Sequence, residues 1–210
     1  NFIINALLLI LEGDSSEFVE HGALRQISFQ EVMDNPEYNN QAQDFFGNLL
    51  AERDEVNDLA FSVAEESSKA YNEVFEIDDS KLKAFIRAHD ISYNQFFASA
   101  FAYTLSRFTG YPKVLFNLIS DVRNQLGLSD SIGNFLNPSP IIMDCENQTV
   151  DSFMKYSKEL IDELDKSNMY PFMELVLDYN LGHNPSFVLL EDPPLICCPA
   201  GSVFWQPHPS

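Results

Sequence analysis

Ser92 and Gln95 form a capping box, in which a hydroxyl and an amide each satisfy a backbone group that the start of a helix leaves unpaired. Phe96, Phe97, Ala100, Phe101, Thr104, Leu105 and Phe108 then recur at helical spacing until Gly110 and Pro112 stop the helix. Directly afterwards VLFNLI, from Val114 to Ile119, is apolar almost without interruption, the pattern of a strand covered on both faces. A helix that hands the chain at once to a two-sided strand obliges it to build layers of helix on sheet. The phenylalanine stripe is accordingly expected in the core.

The flanking sequence repeats the alternation. Asn35 caps and Pro36 opens a helix that carries Tyr38, Ala42, Phe45, Phe46, Leu49 and Leu50 on one face and ends near Arg53. The acidic, serine-containing stretch over 52–68 reads as an exposed connection. AYNEVFEI, with Tyr71, Phe75 and Ile77 on one side, suits a strand, and a short helix beginning at Asp79 or Ser80 turns Leu82, Phe85 and Ile86 inward before a break at His89 and Asp90. In SIGNFLNPSPIIM, Gly133 permits tight geometry, Pro138 and Pro140 exclude helix, and Ile141 to Met143 resume an extended segment. Thr149 caps a helix with Val150, Phe153, Met154, Leu160, Ile161 and Leu164 on one face. YPFMELV is a separate short apolar segment, SFVLL a further strand, and the last twenty residues hold five of the eleven prolines, which leaves no packed element there.

Charge narrows the function. Twelve basic against 32 acidic residues give a net charge of -20, which repels phosphate backbones and anionic lipid, so neither nucleic acid nor a membrane surface is an expected partner. The opening NFIINALLLIL lacks a basic leader and a small-residue cleavage site, falls short of the ~20 residues of a membrane span, and reads as a buried helix whose beginning is cut away. Cys145, Cys197 and Cys198 suggest neither a disulfide framework nor a zinc site, which makes the reducing cytoplasm the expected location. His21, His89, His183 and His208 stand in no metal-ligand pair.

Four segments carry a resemblance: ISYNQFFASAFAYTLSRFTG, VLFNLISDVRNQL, SIGNFLNPSPI and YPFMELV. In this order and spacing they resemble the later half of a nonribosomal-peptide-synthetase condensation domain. Ile132, Gly133, Phe135 and Asn137 resemble its I-G-x-F-x-N signature, and Tyr170, Pro171 and Phe172 its aromatic-proline-phenylalanine segment. Residues 1–53 are more weakly similar to the part that follows the family's His-His-x-x-x-Asp-Gly motif, and none of the four histidines stands in such a motif. The resemblance divides the chain into a remnant of the N-terminal subdomain with its connection (1–68), a C-terminal condensation subdomain (69–190) and a Pro-rich tail without family resemblance (191–210). The chain departs from the family where Pro138 and then Ile141 to Met143 stand in place of a threonine and a later arginine.

The resemblance implies an α/β, two-layer sandwich of the chloramphenicol acetyltransferase-like, CoA-dependent acyltransferase type, as the C-terminal half of a pseudo-dimer. It implies attack by an acceptor amine on a donor thioester, both delivered on phosphopantetheine arms of partner carrier domains, with no covalently bound cofactor. The implied partners are peptidyl or acyl carrier domains, neighbouring synthetase domains and the missing N-terminal half; a noncatalytic module that binds carrier domains is the alternative. Gly133, Phe135, Asn137 and Arg123 are the implied tunnel residues. Asn137 offers donor and acceptor in a proline-flanked loop, where loss of its amide is expected to cost little stability; the alternative is a turn-capping Asn. For Arg123 a structural ion pair with Asp121 or a neighbour is expected ahead of substrate contact.

Overall fold

The computed structural model describes residues 31–32, 34–53, 56, 77–123, 125–127, 135–146, 148–181 and 184–189. In chain order they contain α1 (Pro36–Leu50), α2 (Asp79–His89), α3 (Tyr93–Thr109), β1 (Lys113–Asp121), β2 (Leu136–Asp144), α4 (Val150–Asp165), α5 (Phe172–Tyr179) and β3 (Ser186–Phe187). The opening apolar run, the connection beyond Val56, the strand expected ahead of Ile77, Ile132 and Gly133, His21, His183, His208, Cys197, Cys198 and the Pro-rich tail lie outside the described residues.

Helix starts follow side-chain chemistry. Asn35 Oδ1 accepts from the N–H groups of Glu37 and Tyr38 at 3.1 and 3.3 Å, and Pro36 has no donor to satisfy. The capping box is reciprocal, Gln95 N–H donating to Ser92 Oγ at 3.1 Å and Ser92 N–H to Gln95 Oε1 at 2.9 Å. Thr149 accepts from Ser152 N–H at 3.2 Å. α2 begins at Asp79 as expected, capped by Asp78, whose carboxylate accepts Lys81 N–H at 3.2 Å. Each such cap is worth about 1 kcal/mol. Gly110, at φ 78°, ends α3 in the left-handed conformation that a residue without Cβ adopts freely.

The strands form one sheet in the order β2-β1-β3, antiparallel between β1 and β2 and parallel between β1 and β3. Val114 to Leu118 are buried in succession, as a strand with two covered faces requires. β2 begins at Leu136 and takes in both prolines, so SIGNFLNPSPIIM turns extended well before Ile141. The pairing explains the tolerance. Asn117 N–H points away from β2, to Pro185 O at 2.8 Å, so Pro140 opposite it turns its nitrogen to the outer edge, and Pro138, two residues away, does the same. α1 packs against β2. Its beginning meets the turn after α4, Tyr38 Oη accepting Met169 N–H at 3.0 Å, and beyond its end Glu52 pairs with Lys113 at 2.7 Å. Tyr156 Oη takes up the edge N–H of Asp144 at 3.3 Å.

One hydrophobic core joins these elements. Phe116, Leu118, Ile141 and Met143 are fully enclosed, each burial contributing about 1.5–3 kcal/mol. The phenylalanine stripe of α3 departs from expectation. The line buried deepest is Gln95, Ala98, Ser99, Ala102 and Ser106, while the rings flank it and Phe108 is 81 % exposed. Small residues let α3 approach α4 and β1 closely. The rings then fill the gaps on either side, Phe96 meeting Phe85 at 5.5 Å and Phe101 meeting Phe116 at 5.2 Å. On α4, Val150 is likewise exposed and Ser157 takes a place in the buried face. Among the described residues no helix is long and apolar enough to cross a membrane.

Candidate functional site

The end of β1, the start of β2 and the turn between α4 and α5 meet at one place, because Asp121 pairs with Leu136 and Ser120 with Asn137. Asn137 is 6 % exposed, and its Nδ2 donates to the carbonyl oxygens of Asn168 and Tyr170, both at 2.8 Å. It therefore stands in a strand, not in a loop, and caps no turn of its own. It holds a turn more than thirty positions away. The expectation of a weakly buried amide that costs little to lose is corrected by these two bonds.

Further amides extend the cluster. Gln125 Nε2 donates to Asn168 Oδ1 at 3.1 Å, and Asn168 Nδ2 to Asp165 Oδ1 at 3.3 Å. Burial pushes the Asp165 carboxyl above its ordinary range; the bond from Asn168 opposes the shift and the charge of Asp162 adds to it. On the α1 side Gln43 Nε2 donates to Tyr170 Oη at 3.3 Å, and Tyr170 lies against Phe46 with ring centroids 6.0 Å apart. The Tyr38 phenol, pushed up to about 12 by burial against the opposing bonds from the Met169 and Tyr170 backbone, remains protonated at any physiological pH.

Phe135 is buried, its carbonyl accepting Val122 N–H at 3.1 Å, and the Arg123 guanidinium carbon lies 4.7 Å from the centre of its ring. Arg123 N–H donates to Asp121 Oδ1 at 3.0 Å, with Nε 3.8 Å from Oδ2, so the ion pair suggested by sequence is present. The structure thus gathers Phe135, Asn137 and Arg123 at one end of the sheet, while Gly133 lies outside the described residues. It adds Gln125, Asn168, Tyr170 and Tyr38, whose polar roles the sequence reading missed. It also shows Asn117, buried in the middle of β1 with no partner for its Oδ1 among the described residues. An amide inside an otherwise apolar strand was the one signal available for it.

This cluster can position and hydrogen-bond, and the one carboxyl in it with a raised range, Asp165, is engaged by Asn168. His89, the one histidine among the described residues, stands on α2, stacked on Phe85 and paired with Asp151. No group of residues suited to hold a metal ion occurs among the described residues.

Comparison with known proteins gives the frame for this geometry. No curated protein matches the chain. VibH, an NRPS condensation enzyme, superposes with a TM-score of 0.68 at 15 % identity, covering 95 % of this chain and 52 % of that one. The first condensation domain of the calcium-dependent antibiotic synthetase, in complex with a substrate analogue, gives 0.65 at 12 %, covering 89 % and 43 %. The X-domain from teicoplanin biosynthesis gives 0.59 at 17 %, covering 79 % and 41 %. At these identities the likeness establishes the fold, an α/β fold of the chloramphenicol acetyltransferase-like type, and the chain spans about half the length of the structures it matches. The family profile of the Condensation domain matches residues 29–193, most of the chain, and the chain belongs to the condensation domain family.

Proposed function

We propose that this chain supplies the C-terminal half of a condensation domain of a nonribosomal peptide synthetase, and that it acts in amide bond formation between two carrier-tethered groups. The family match over residues 29–193 carries the reading. In the reaction the acceptor amine nitrogen attacks the donor thioester carbon, the carbon–sulfur bond breaks, and the amine proton ends on the departing sulfur. The phosphopantetheine arms of partner carrier domains present both reactants in a cytoplasmic assembly with neighbouring synthetase domains. The histidine of the His-His-x-x-x-Asp-Gly motif would come from the N-terminal half.

The part assigned to this chain is alignment, which can lower a barrier by several kcal/mol, on the order of 7–11 when two reactants are fully oriented. Phe135 with Arg123 on its ring, and Gly133 ahead of it, would form tunnel wall. Asn137 acts as a positioning residue, fixing the Asn168–Tyr170 turn against the start of β2. The test is reconstitution. Joined to an N-terminal half that carries the motif and supplied with loaded carriers, the chain should give the amide by mass spectrometry, and the chain alone should give none above the uncatalysed rate. A folded, joined domain without product would replace this reading by that of a noncatalytic module that binds carriers.

A further inference from the structure

A cleft of about 350 Å³ opens at the opposite end of the sheet from Asn137, between the C-terminal part of α1, the end of β2 and α4. Phe45, Leu49 and Ile142 give it an apolar wall. Glu52, Lys113, Asp144 and Tyr156 line the rest. Asp144 stands seven residues along β2 from Asn137, roughly 23 Å at the rise of a strand, so the cleft is separate from the amide cluster described above.

Strand register assembles its polar side. Lys113 lies directly opposite Asp144, and residues so paired share a face with Cβ atoms about 4.5–5.5 Å apart. The Lys113 ammonium in turn draws in Glu52 from beyond the end of α1, at 2.7 Å. Two carboxylates therefore gather around one lysine. From α4, Tyr156 Oη closes the group by accepting Asp144 N–H at 3.3 Å. Burial first, and then the charges of Asp144 and Glu52 among others, raise the Tyr156 phenol against that bond, so both carboxylates act on the one hydroxyl.

What the group lacks is donors. Lys113 is engaged by Glu52 Oε2, and Asp144 Oδ1 accepts Glu146 N–H at 2.9 Å. The second oxygen of each carboxylate, Glu52 Oε1 and Asp144 Oδ2, has no hydrogen-bond partner among the described residues. A primary ammonium supplies three N–H donors and the positive charge that two carboxylates against one lysine leave unmatched. The volume is at the small end of the range for ligand pockets, and the apolar wall suits a short hydrocarbon body. We propose that this cleft binds a small primary amine, its ammonium between Glu52 and Asp144 and its apolar body against Phe45, Leu49 and Ile142. Bound there, the amine ties α1 to β2 and α4. This binding goes beyond the function proposed above and does not depend on it.

The probe is phenethylamine, one aromatic ring on a short arm, titrated calorimetrically into the full chain. It should bind saturably and raise the thermal melt, since a ligand held only by the folded state stabilises that state. Hydrocinnamate, which has a similar body and a carboxylate, and methylammonium, which has the charge without the body, should each bind about tenfold more weakly or less well still. Glu52→Gln and Asp144→Asn each remove a charge while keeping the shape, and each should lower the affinity about tenfold, as loss of a charged hydrogen bond does. The asparagine can still accept Glu146 N–H, and far-UV circular dichroism should confirm that both variants keep the fold. Glu159→Gln, on the exposed side of α4, should leave the affinity unchanged. No saturable binding by the unaltered chain, equal affinity for hydrocinnamate or methylammonium, or affinity retained in both folded variants would each overturn the assignment.

Discussion

Asn137 shows what one residue contributes and what a motif can reveal. The I-G-x-F-x-N pattern marks it as a special amide, and the structure places it where the sheet meets the α4–α5 turn. Its bonding was not legible, because both acceptors are main-chain carbonyls of a distant turn and carbonyls carry no sequence signal. Asn137→Ala would leave those two buried carbonyls without donors. Each orphaned group costs about 1–3 kcal/mol, so the variant should lose on the order of 2–6 kcal/mol in chemical denaturation. Asn137→Asp should be worse, since it sets a carboxylate against two acceptors. Activity of the joined domain should fall with this loss of fold; an Ala variant as stable as the unaltered chain would show that the clamp carries no weight.

At the scale of elements, the sequence was most informative where local chemistry decides. The caps at Asn35, Ser92 and Thr149 and the stop at Gly110 fixed helix ends within a residue or so. It was least informative where packing decides: the prolines of β2 are admitted by the side of the strand they face, and the rings of α3 yield the deepest positions to Ala and Ser. Pairing between helices was likewise hidden. His89 Nδ1 lies 2.9 Å from Phe85 O and Nε2 2.9 Å from Asp151 Oδ1, so both ring nitrogens face acceptors and the imidazolium, with two N–H groups, suits the site. The bond to Asp151 foremost, then that to Phe85, raises its pKa. A raised folded-state value means a stabilising contribution fully present below the unfolded value of about 6.5 and lost as pH rises through the folded value. Lys158, bonded to Asp90 at 2.6 Å, ties α2 to α4 independently and keeps its charge across that window. Comparing thermal melts of the chain and of His89→Gln, the gap should be widest below pH 6.5 and close at alkaline pH. A gap that does not change with pH would rule out the charged clasp.

For the whole molecule the governing fact is length: the chain spans 52 % of one condensation enzyme and 43 % of another condensation domain, though it has a continuous core of its own. Apolar surface that such a core leaves outside is open to association. Met173 and Leu177, one turn apart on α5, are 62 % and 74 % exposed, while Leu175 on the same helix is buried. A helix of eight residues that presents apolar side chains outward as well as inward lacks the one-sided pattern of a surface helix. The chain alone should therefore self-associate through α5, with a light-scattering mass above that of the monomer which rises with concentration. Met173→Glu combined with Leu177→Glu should return it to a monomer with an unchanged thermal melt, because both side chains lie outside the core. Arg107→Glu, on the exposed face of α3, should leave the association unchanged. A monodisperse monomer of the unaltered chain, with a cooperative melt, would mean that the α5 stripe is ordinary solvated surface and that the half-length chain is closed without a partner.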